Sequence, residues 1–357
     1  MKVNTLETAI KVFNRYEEKH DIIRFYFGLL AYHGLAMAAD AEKNEELINK
    51  CKEYLALYPD KFEHPYYNFE AYRAGGAAKA WLFMKGYMPE AADVLREYAE
   101  ITMNSPHSKE GILCHPNLHE KVWIDTVAFI TPFMLYTGLA LGEQKYIDYA
   151  ADLCFKSYEV FLDKSNGLLH QAKGFLENPE RVSSDYWGRG NGWGYVGLTE
   201  LIQYLPENSP HREKALKLYK DHTDAILEYQ TERGLWRQIL NEELAWYECT
   251  GTGLFLYGIG VGIRCGILTD EKYMEALKKG VEGLGNYCIT TEYMTVLSCP
   301  GCLCPGTGKE KGTAKAYITE KYPQVDEVHS YGCIMFGLIE AYKNGIEEIE
   351  LFEFKKE

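Results

Sequence analysis

The sequence predicts an all-α protein folded as an (α/α)6 barrel, in which an inner ring of six helices is enclosed by an outer ring of six. Apolar residues recur at spacings of three and four in nearly every segment, which is the period of a helix packed on one face. Glycine-rich helices that are apolar all round alternate with charged, one-sided helices, so we expect the first kind inside and the second kind outside. An α-solenoid would alternate in the same way, but it would also need a repeated sequence motif, and none is found.

Eleven segments carry the helical period, in agreement with the eleven or twelve helices expected at roughly thirty residues per helix and loop. In chain order they read LETAIKVFNRY, IIRFYFGLLAYHGLAMAA, AAKAWLFMKGY, EAADVLREYAEIT, WIDTVAFITPFMLYTGLALG, KYIDYAADLCFKSYEVFL, GWGYVGLTELIQYL, REKALKLYKDHTDAILEYQ, TGTGLFLYGIGVGIRCGIL, KYMEALKKGVEGLGNYC and SYGCIMFGLIEAYKN. Turn-forming segments such as NSPHSKEG and LPENSP separate them, and strand-like segments such as GLWRQIL are few. Because no linker interrupts the series, we expect a single domain over residues 1–357.

The composition restricts the possible partners. A net charge of −14 argues against nucleic acid or an anionic membrane surface, while an acidic small substrate is compatible if cations are concentrated locally. The 28 tyrosines and six tryptophans suit a carbohydrate-binding cleft, and they equally suit ordinary helix packing. The most apolar run, residues 122–141, contains an aspartate and a proline, which favours a buried core helix over a membrane span. The N-terminal residues hold no signal-peptide core, so we expect a cytoplasmic protein.

The ten cysteines are expected to be free thiols. The segment SCPGCLCPGTG places Cys299, Cys302 and Cys304 close together, and three thiols at this spacing are compatible with a zinc site. A closed zinc site needs a fourth ligand, which the fold would have to supply from Cys288 or His329. The alternative is a glycine- and proline-rich loop with incidental cysteines. We expect this alternative, with no metal and no cofactor.

Asp125 is the candidate catalytic residue. In VWIDTVAFITPFML it is the one acid in a long apolar run, and burial raises the pKa of a carboxyl group toward the range of a general acid. The alternative is structural, because Asp125 is also placed to cap the helix whose first turn is TVAF. Both interpretations fit the local sequence.

A second candidate region is the stretch SSDYWGRGNGWGYVGLTEL. It sets Trp187, Arg189 and Trp193 among glycines that disfavour a helix. We expect Asn191 to cap a helix that begins at Gly192, which leaves the arginine in the preceding loop. An arginine beside free backbone N–H groups binds carboxylates, and Trp187 is placed to stack on a sugar ring.

Three further segments supply polar candidates. HPNLHEKVWID contains His115 and Trp123, GLLHQAKGF presents His170, and YYNFEAYRAGG places Glu70 and Arg73 before a pair of glycines. Each histidine taken singly has an ordinary structural explanation. Loops of a barrel gather at one rim, however, so their joint polarity predicts a binding site there.

The motif WGRGNGW, together with the upstream WID and the proline that follows it, resembles the unsaturated uronyl hydrolases of glycoside hydrolase families 88 and 105. Family 105, the unsaturated rhamnogalacturonyl hydrolases, looks the more similar. The similarity extends over nearly the whole chain, from CHPNLHEKVWID through GTGLFLYGIGVGIRCGIL to DEVHSYGCIMFGLIEA. It implies the six-hairpin (α/α)6 fold without metal, and an enzyme that releases the terminal 4,5-unsaturated galacturonyl or glucuronyl residue from lyase-generated oligosaccharides.

The resemblance also implies roles for single residues. Asp125 falls on the family's general acid/base, which protonates C4 of the vinyl ether and then activates the water that adds at C5. Trp123 and Trp187 match positions that stack on the sugar, and Arg189 matches a residue that holds the substrate. One carboxylate in two roles removes the need for a paired nucleophile.

Other family positions are matched less closely. His115 and His170 fall near family histidines, although the loop lengths differ. Glu70 stands where the family has an aspartate that contacts ring hydroxyls, and it is one methylene longer. Because the whole chain is acidic, cations such as Arg73 or Lys121 are expected to join the arginine of WGRGNGW around an anionic substrate.

Two alternative functions remain on the sequence alone. An epimerase of the N-acylglucosamine type has the same fold and needs two histidines facing each other across the sugar ring, for which His170 and His329 are the candidates. A catalytically silent sugar-binding protein is the other alternative. An acid in an apolar run argues against it, because a binding protein gains nothing from Asp125. We expect an acidic unsaturated oligosaccharide as the partner, and a monomer or homodimer.

Overall fold

The regular structure of the chain is almost entirely α-helical. The computed structural model describes residues 1–20, 25–60, 69–115 and 117–353. In chain order the helices are α1 (Thr5–Lys19), α2 (Tyr26–Glu42), α3 (Glu45–Ala56), α4 (Glu70–Arg73), α5 (Gly76–Met84), α6 (Ala92–Asn104), α7 (Asp125–Leu141), α8 (Gln144–Phe161), α9 (Gly188–Tyr204), α10 (Arg212–Leu227), α11 (Cys249–Arg264), α12 (Glu271–Tyr287), α13 (Ala314–Glu320) and α14 (Ser330–Lys343). Single 3-10 turns occur at Pro89–Ala91 and Gly308–Glu310.

Short antiparallel strand pairs connect some of the loops. The pairs are β1 (Lys2–Asn4) with β6 (Glu348–Glu350), β2 (Val122–Trp123) with β3 (Ala172–Lys173), and β4 (Trp236–Arg237) with β5 (Tyr247–Glu248). The last pair lies within the segment GLWRQIL and its partner strand, where the sequence indicates a strand. The first pair joins the two ends of the described chain, with Lys2 opposite Glu350.

Six of the helices form a closed inner ring. Contacts run from α2 to α5, then to α7, α9, α11 and α14, and α14 packs against α2 again. The helices α1, α3, α6, α8, α10 and α12 pack on the outside of this ring. The (α/α)6 barrel predicted from the alternation of helix types is therefore confirmed.

The inner helices are buried on nearly every side. In α9 every residue from Gly188 to Ile202 is buried, and α7 is buried over most of its length. Glycines allow neighbouring inner helices to approach closely, since a Cβ on Gly251 in α11 would lie 2.9 Å from the carbonyl carbon of Gly188. The absence of a side chain at these positions therefore serves packing rather than flexibility.

The outer helices bury one face only. Helix α1 begins after Asn4, whose side-chain oxygen accepts hydrogen bonds from the backbone N–H groups of Leu6 and Glu7. Its apolar residues recur with the helical period and face the ring, at Leu6, Ala9, Val12, Phe13 and Tyr16.

Two features of the helices differ from the sequence prediction. Helices α3, α4 and α13 were not among the predicted segments. The charged sequence of α3, EELINKCKEYLA, shows only a narrow apolar stripe, and α4 and α13 are only four and seven residues long. Helix α9 begins at Gly188 instead of Gly192, so the predicted cap at Asn191 is wrong. Asn191 lies one turn inside the helix, where its amide exchanges hydrogen bonds with the backbone of Leu169.

The early start of α9 has a packing reason. The N–H of Gly188 donates to the carbonyl oxygen of Gln238, and a Cβ on this glycine would lie 2.6 Å from the carbonyl oxygen of Arg237. Glycine is thus required by the contact with β4, and the helix forms in spite of its low helix propensity. The apolar run 122–141 forms the inner helix α7, and none of the described helices is long and apolar enough to cross a membrane.

Candidate active site

A pocket of about 440 Å³ opens at one end of the inner ring. Its wall is mostly aromatic, with a few ionisable groups and one edge of the cysteine-containing loop. The lining residues are Phe25, Tyr26, Phe27, Phe69, Tyr72, Trp123, Asp125, Phe129, Trp187, Arg189, Gly301, Cys302, Leu303, Lys321 and His329. A pocket of this size with aromatic walls and a few polar groups is suited to a sugar ring.

The pocket lies at the N-terminal ends of inner helices. Tyr26, Asp125 and Arg189 stand in the first turns of α2, α7 and α9, while Tyr72 and His329 come just before α5 and α14. The backbone N–H groups in a first helical turn have no partner within the helix and carry partial positive charge. Several such helix ends around one pocket favour an anionic ligand.

Asp125 is the first residue of α7, and Ile124 occupies the cap position. Asp125 is therefore not the N-cap of α7, which was the structural alternative predicted from the sequence. Burial raises the pKa of this carboxyl group to about 7, although the positive charge of Arg189 acts in the opposite direction. Its Oδ2 atom has no hydrogen-bond partner among the described residues. A carboxyl group with this pKa carries a proton in much of the population at neutral pH.

Arg189 is completely buried in the first turn of α9. Its Nη1 atom donates to the carbonyl oxygen of Cys299 and, at 3.2 Å, to the hydroxyl of Thr250, and its Nη2 atom donates to the carbonyl oxygen of Pro300 at 2.9 Å. The guanidinium carbon lies 4.5 Å from the ring centroid of Trp187. The arginine thus fixes the cysteine-containing loop to the inner ring.

Two hydrogen-bond donors in the pocket wall remain without partners. Nε of Arg189 and Nε1 of Trp187 are buried, and neither donates to any of the described residues. A buried donor without an acceptor costs about 1–3 kcal/mol. An acceptor brought beside these two neighbouring residues would offset this cost.

A chain of hydrogen bonds holds Tyr26 in the pocket. Its hydroxyl lies 2.7 Å from Nε2 of His329, whose Nδ1 lies 2.7 Å from Oε1 of Glu327. Burial lowers the pKa of His329 and the charge of Arg189 lowers it further, against the opposing effect of Glu327. The neutral imidazole then donates a hydrogen bond from Nδ1 to the carboxylate and accepts one at Nε2 from the hydroxyl of Tyr26.

Lys321 is the second cation of the pocket wall. Its Nζ donates to the carbonyl oxygen of Gly301 at 3.2 Å, which leaves further donor capacity on the ammonium group. Lys121 and Arg73, the cations predicted from the sequence, are not among the pocket residues. Lys121 lies over the ring of Phe175, with Nζ 5.3 Å from its centroid.

The structure brings together only part of the predicted substrate-binding set. Trp123, Trp187 and Arg189 line the pocket with Asp125. His115 lies behind Trp123 with the two rings stacked, their centroids 6.2 Å apart.

The other two predicted substrate-binding residues do not line the pocket. Glu70 begins α4 and its Oε2 lies 3.6 Å from Nε of Arg73. His170 lines a separate surface groove with Lys173 and Arg181, and its ring stacks on Tyr186.

Comparison with known proteins agrees with this geometry. A model of the protein family described as glycosyl hydrolase family 88 matches residues 5–344 of the chain. The chain belongs to this family. It is therefore a glycoside hydrolase, and the resemblance stated from WGRGNGW and WID is confirmed.

Two curated relatives of the chain are named as unsaturated uronyl hydrolases. The chain is 24% identical over 282 residues to an unsaturated 3S-rhamnoglycuronyl hydrolase of Alteromonas sp. (strain LOR), covering 73% of this chain and 67% of the relative. It is 25% identical over 271 residues to the unsaturated rhamnogalacturonyl hydrolase YesR of Bacillus subtilis (strain 168), covering 72% and 74% of the two chains.

A solved structure extends the agreement to the whole fold. The family 105 glycoside hydrolase of C. acetobutylicum ATCC 824 superposes with a TM-score of 0.80 at 20% sequence identity. The match covers 95% of this chain and 99% of the other. The arrangement of helices in this family 88 member is thus that of a known six-hairpin glycosidase.

Sequence reasoning missed Tyr26, Tyr72 and Lys321 as residues of the family 88 pocket. The sequence predicts His329 only as a zinc ligand or an epimerase base. For Tyr26, Tyr72 and His329 the sequence does contain a signal. The inner helices of such a barrel are parallel, so the N-terminus of every inner helix lies at the same rim. The residues that begin or precede each apolar, glycine-rich segment are therefore candidates. Lys321 lies in the loop after α13 and carries no such signal.

All ten cysteines are free thiols. Cys302 lines the pocket of this family 88 enzyme, and Cys299 lies behind it. Among the described residues, no group of three histidine, cysteine, aspartate or glutamate side chains is arranged to hold a metal ion. The three loop cysteines are thus not brought into a metal-binding cluster with His329 or Cys288.

Proposed function

We propose that this glycoside hydrolase releases the terminal 4,5-unsaturated uronic acid from lyase-generated oligosaccharides by hydrating its C4=C5 vinyl ether. The main observation in support of this proposal is that Asp125 is the only carboxylic acid among the described residues that line the pocket. Glycosidases that attack the anomeric carbon normally use a pair of carboxyl groups about 5–10 Å apart. A single acid with a pKa of about 7 suits a reaction that needs one group to give a proton and take one back.

The proposed reaction balances with water as the only co-reactant. Protonated Asp125 gives its proton to C4, and positive charge develops at C5 and the ring oxygen. The resulting carboxylate then accepts a proton from the water whose oxygen bonds to C5. The hemiketal opens by breaking the bond from C5 to the ring oxygen, which leaves a C5 ketone and a hemiacetal at C1 that releases the next sugar. No cofactor is required.

We propose that the uronate carboxylate binds among Arg189, Lys321 and the surrounding helix N-termini. Nε of Arg189 supplies an unused donor, and Lys321 supplies an ammonium group with spare donors. Trp123 and Trp187 form aromatic walls for the ring. The names of the two curated relatives support a rhamnose unit next to the unsaturated uronic acid.

The first experiment follows the ultraviolet absorbance of the conjugated double bond, which disappears on hydration. Unsaturated galacturonyl-rhamnose, unsaturated glucuronyl-rhamnose and an unsaturated glycosaminoglycan disaccharide are compared. We expect bleaching with a rhamnose-linked substrate. We expect Asp125→Asn to lower kcat by about 10²- to 10⁴-fold, and Asp152→Asn on the outer helix α8 to retain activity. If Asp125→Asn bleached the substrate at the wild-type rate, Asp125 would not be the group that protonates C4.

A second prediction concerns Lys321. Replacing it with alanine removes a pocket cation, so we expect KM to rise by roughly tenfold, equivalent to about 1.4 kcal/mol of binding. The matched control is Lys121→Ala, since that lysine contacts Phe175 outside the pocket. Steady-state kinetics on the preferred disaccharide measures both variants. An equal effect of the two substitutions would indicate general electrostatics and no specific contact.

An epimerase is not favoured. The two histidines that such an enzyme needs, His170 and His329, line different depressions of the described surface. A silent sugar-binding protein is disfavoured because the chain belongs to a glycoside hydrolase family and has in its pocket a buried acid, Asp125, with a raised pKa.

We also propose a cytoplasmic protein of one domain. The ten free thiols suit a reducing compartment. One apolar cluster runs from Leu6 to Leu351, which supports a single folding unit.

A further inference from the structure

The segment Cys299–Pro300–Gly301–Cys302 has no part in the reaction proposed above. It nevertheless forms one wall of the pocket, through Gly301 and Cys302. The sulfur atoms of Cys299 and Cys302 lie 3.9 Å apart. A disulfide bond needs about 2.0 Å between the sulfurs, so an approach of about 1.9 Å would close it.

The two thiols differ in their surroundings. Cys302 is partly exposed and faces the pocket, whereas Cys299 is fully buried and accepts a hydrogen bond from Nε2 of Gln238 at 3.6 Å. Burial raises the pKa of a thiol, but the hydrogen bond from Cys302 and the charge of Arg189 bring the pKa of Cys299 below its usual range. Burial and the hydrogen bond to Cys299 raise the pKa of Cys302. An accessible sulfur that carries a proton thus lies next to a buried sulfur that can accept it.

We propose that Cys299 and Cys302 form a reversible dithiol–disulfide site in the wall of the substrate pocket, and that small peroxides oxidise it. Cys302 passes its S–H proton to the neighbouring sulfur of Cys299, and its own sulfur then attacks one oxygen of the peroxide. The O–O bond breaks, the sulfur of Cys302 becomes a sulfenic acid, and the leaving hydroxide takes up a proton and departs as water. The sulfur of Cys299 then bonds to that of Cys302, the S–O bond breaks, and a second water leaves. Two thiols are oxidised to one disulfide while hydrogen peroxide is reduced to two waters.

The backbone of the same segment holds both pocket cations. The carbonyl oxygens of Cys299 and Pro300 accept hydrogen bonds from Arg189, and that of Gly301 accepts one from Lys321. Closing a ring across these residues moves the carbonyl groups and hence the guanidinium and ammonium groups. The disulfide form therefore has weaker substrate binding, a consequence that rests on the function proposed above.

The chemical part of this proposal is tested without any substrate. Cys265 is exposed, so the background is Cys265→Ser, which removes a competing thiol at the end of α11 remote from the pocket. The full-length protein is treated with a small excess of hydrogen peroxide and then analysed by intact mass and by non-reducing peptide mapping. We expect the loss of two hydrogen atoms, a cross-link between Cys299 and Cys302, and full reversal by dithiothreitol.

Two variants make the result specific. Cys302→Ser should lose the cross-link, and Cys304→Ser should keep it, because Cys304 belongs to the same loop but not to the pair. A melting curve confirms that each variant is folded. A cross-link that uses Cys304, or peroxide products confined to single cysteines, would overturn the proposal.

Kinetics tests the consequence for binding. Once bleaching by the reduced enzyme has been established, we expect oxidation to raise KM by at least severalfold and dithiothreitol to restore it. An unchanged KM with a fully formed cross-link would overturn the coupling to the pocket cations. The absence of bleaching by the reduced enzyme would instead contradict the proposed function and leave the mass result valid.

Discussion

A carboxyl group that has to donate a proton at neutral pH needs a pKa well above that of an ordinary aspartate. Asp125 reaches a pKa of about 7 because it is buried at the start of α7 among aromatic residues. The helix N-terminus and Arg189 oppose this shift, since both favour the carboxylate. The balance places the group where it can act first as an acid and then, after losing its proton, as a base.

The pH dependence of the reaction follows from this balance. In the proposed reaction protonated Asp125 is the reactive form, so kcat/KM is expected to be constant below its pKa and to fall by about tenfold per pH unit above about pH 7. The measurement is the rate of bleaching at low substrate concentration between about pH 5 and about pH 9. Melting curves over the same range serve as the control for unfolding. A flat profile across neutral pH would mean that another group supplies the proton.

At this scale the sequence was informative where one residue contrasted with its neighbours. Asp125 was found because it is an acid in an apolar run, and Trp187 and Arg189 because they stand among glycines. Tyr26 and Tyr72 were missed, since tyrosine is frequent throughout the chain and a pocket tyrosine looks like a packing tyrosine. His170 was predicted from its place in a loop, but the direction in which a loop projects is set by tertiary contacts.

At the scale of the helices, the site depends on how closely α9 and α11 pack. The backbones meet at Gly188 and Gly251, where a Cβ on Gly251 would lie 3.0 Å from the backbone nitrogen of Arg189. Glu248 connects α11 to the cysteine-containing loop. Its carboxylate accepts hydrogen bonds from N–H groups in the first turn of α11 and from the N–H of Cys299. The helix pair therefore positions both the arginine and the loop it holds.

Gly251→Ala tests this dependence. The added methyl group must push α9 away from α11, so we expect a loss of about 1–3 kcal/mol in the free energy of unfolding and a several-fold rise in KM as Arg189 shifts. The control is Gly34→Ala, because the three atoms nearest to a Cβ on Gly34 all belong to the side chain of Met335, with Cε at 3.0 Å and Cβ at 3.1 Å, and none to backbone. Chemical denaturation and kinetics measure both variants. Wild-type behaviour of Gly251→Ala would show that the ring relaxes without cost.

Helix identity was predictable from periodicity, and helix boundaries were not. The segments with a wide apolar face were all found, whereas the narrow stripe of α3 was missed. The start of α9 was displaced by one turn because glycines that normally mark a loop are required here by contacts with β4 and α11. A rule based on local propensity cannot register such contacts between elements that are distant in sequence.

At the scale of the whole molecule, long-range and local electrostatics act in opposite directions. The net charge of −14 repels an anionic oligosaccharide at a distance. In the proposed binding mode the pocket attracts it through Arg189, Lys321 and the helix N-termini. Arg189 is fully buried and therefore shielded from solvent ions, whereas Lys321 is only half-buried. Added salt therefore screens the repulsion more than the attraction.

We accordingly expect kcat/KM to rise by about two- to fivefold as ionic strength increases from about 0.02 M to about 0.3 M, because the Debye length shortens over this range and the repulsion by surface charges is screened. The methyl ester of the same disaccharide, which is uncharged, is the control and should show little change. A fall in kcat/KM with added salt would indicate that exposed cations steer the substrate.

The pairing of β1 with β6 has a practical consequence. The inner helices begin at the pocket and α14 leads away from it to β6, so the two paired strands lie at the opposite end of the barrel. A tag or a surface anchor joined to either strand would sit on the base of the barrel. An enzyme immobilised in this way presents its pocket to the solution, and oligosaccharide reaches it without passing the support.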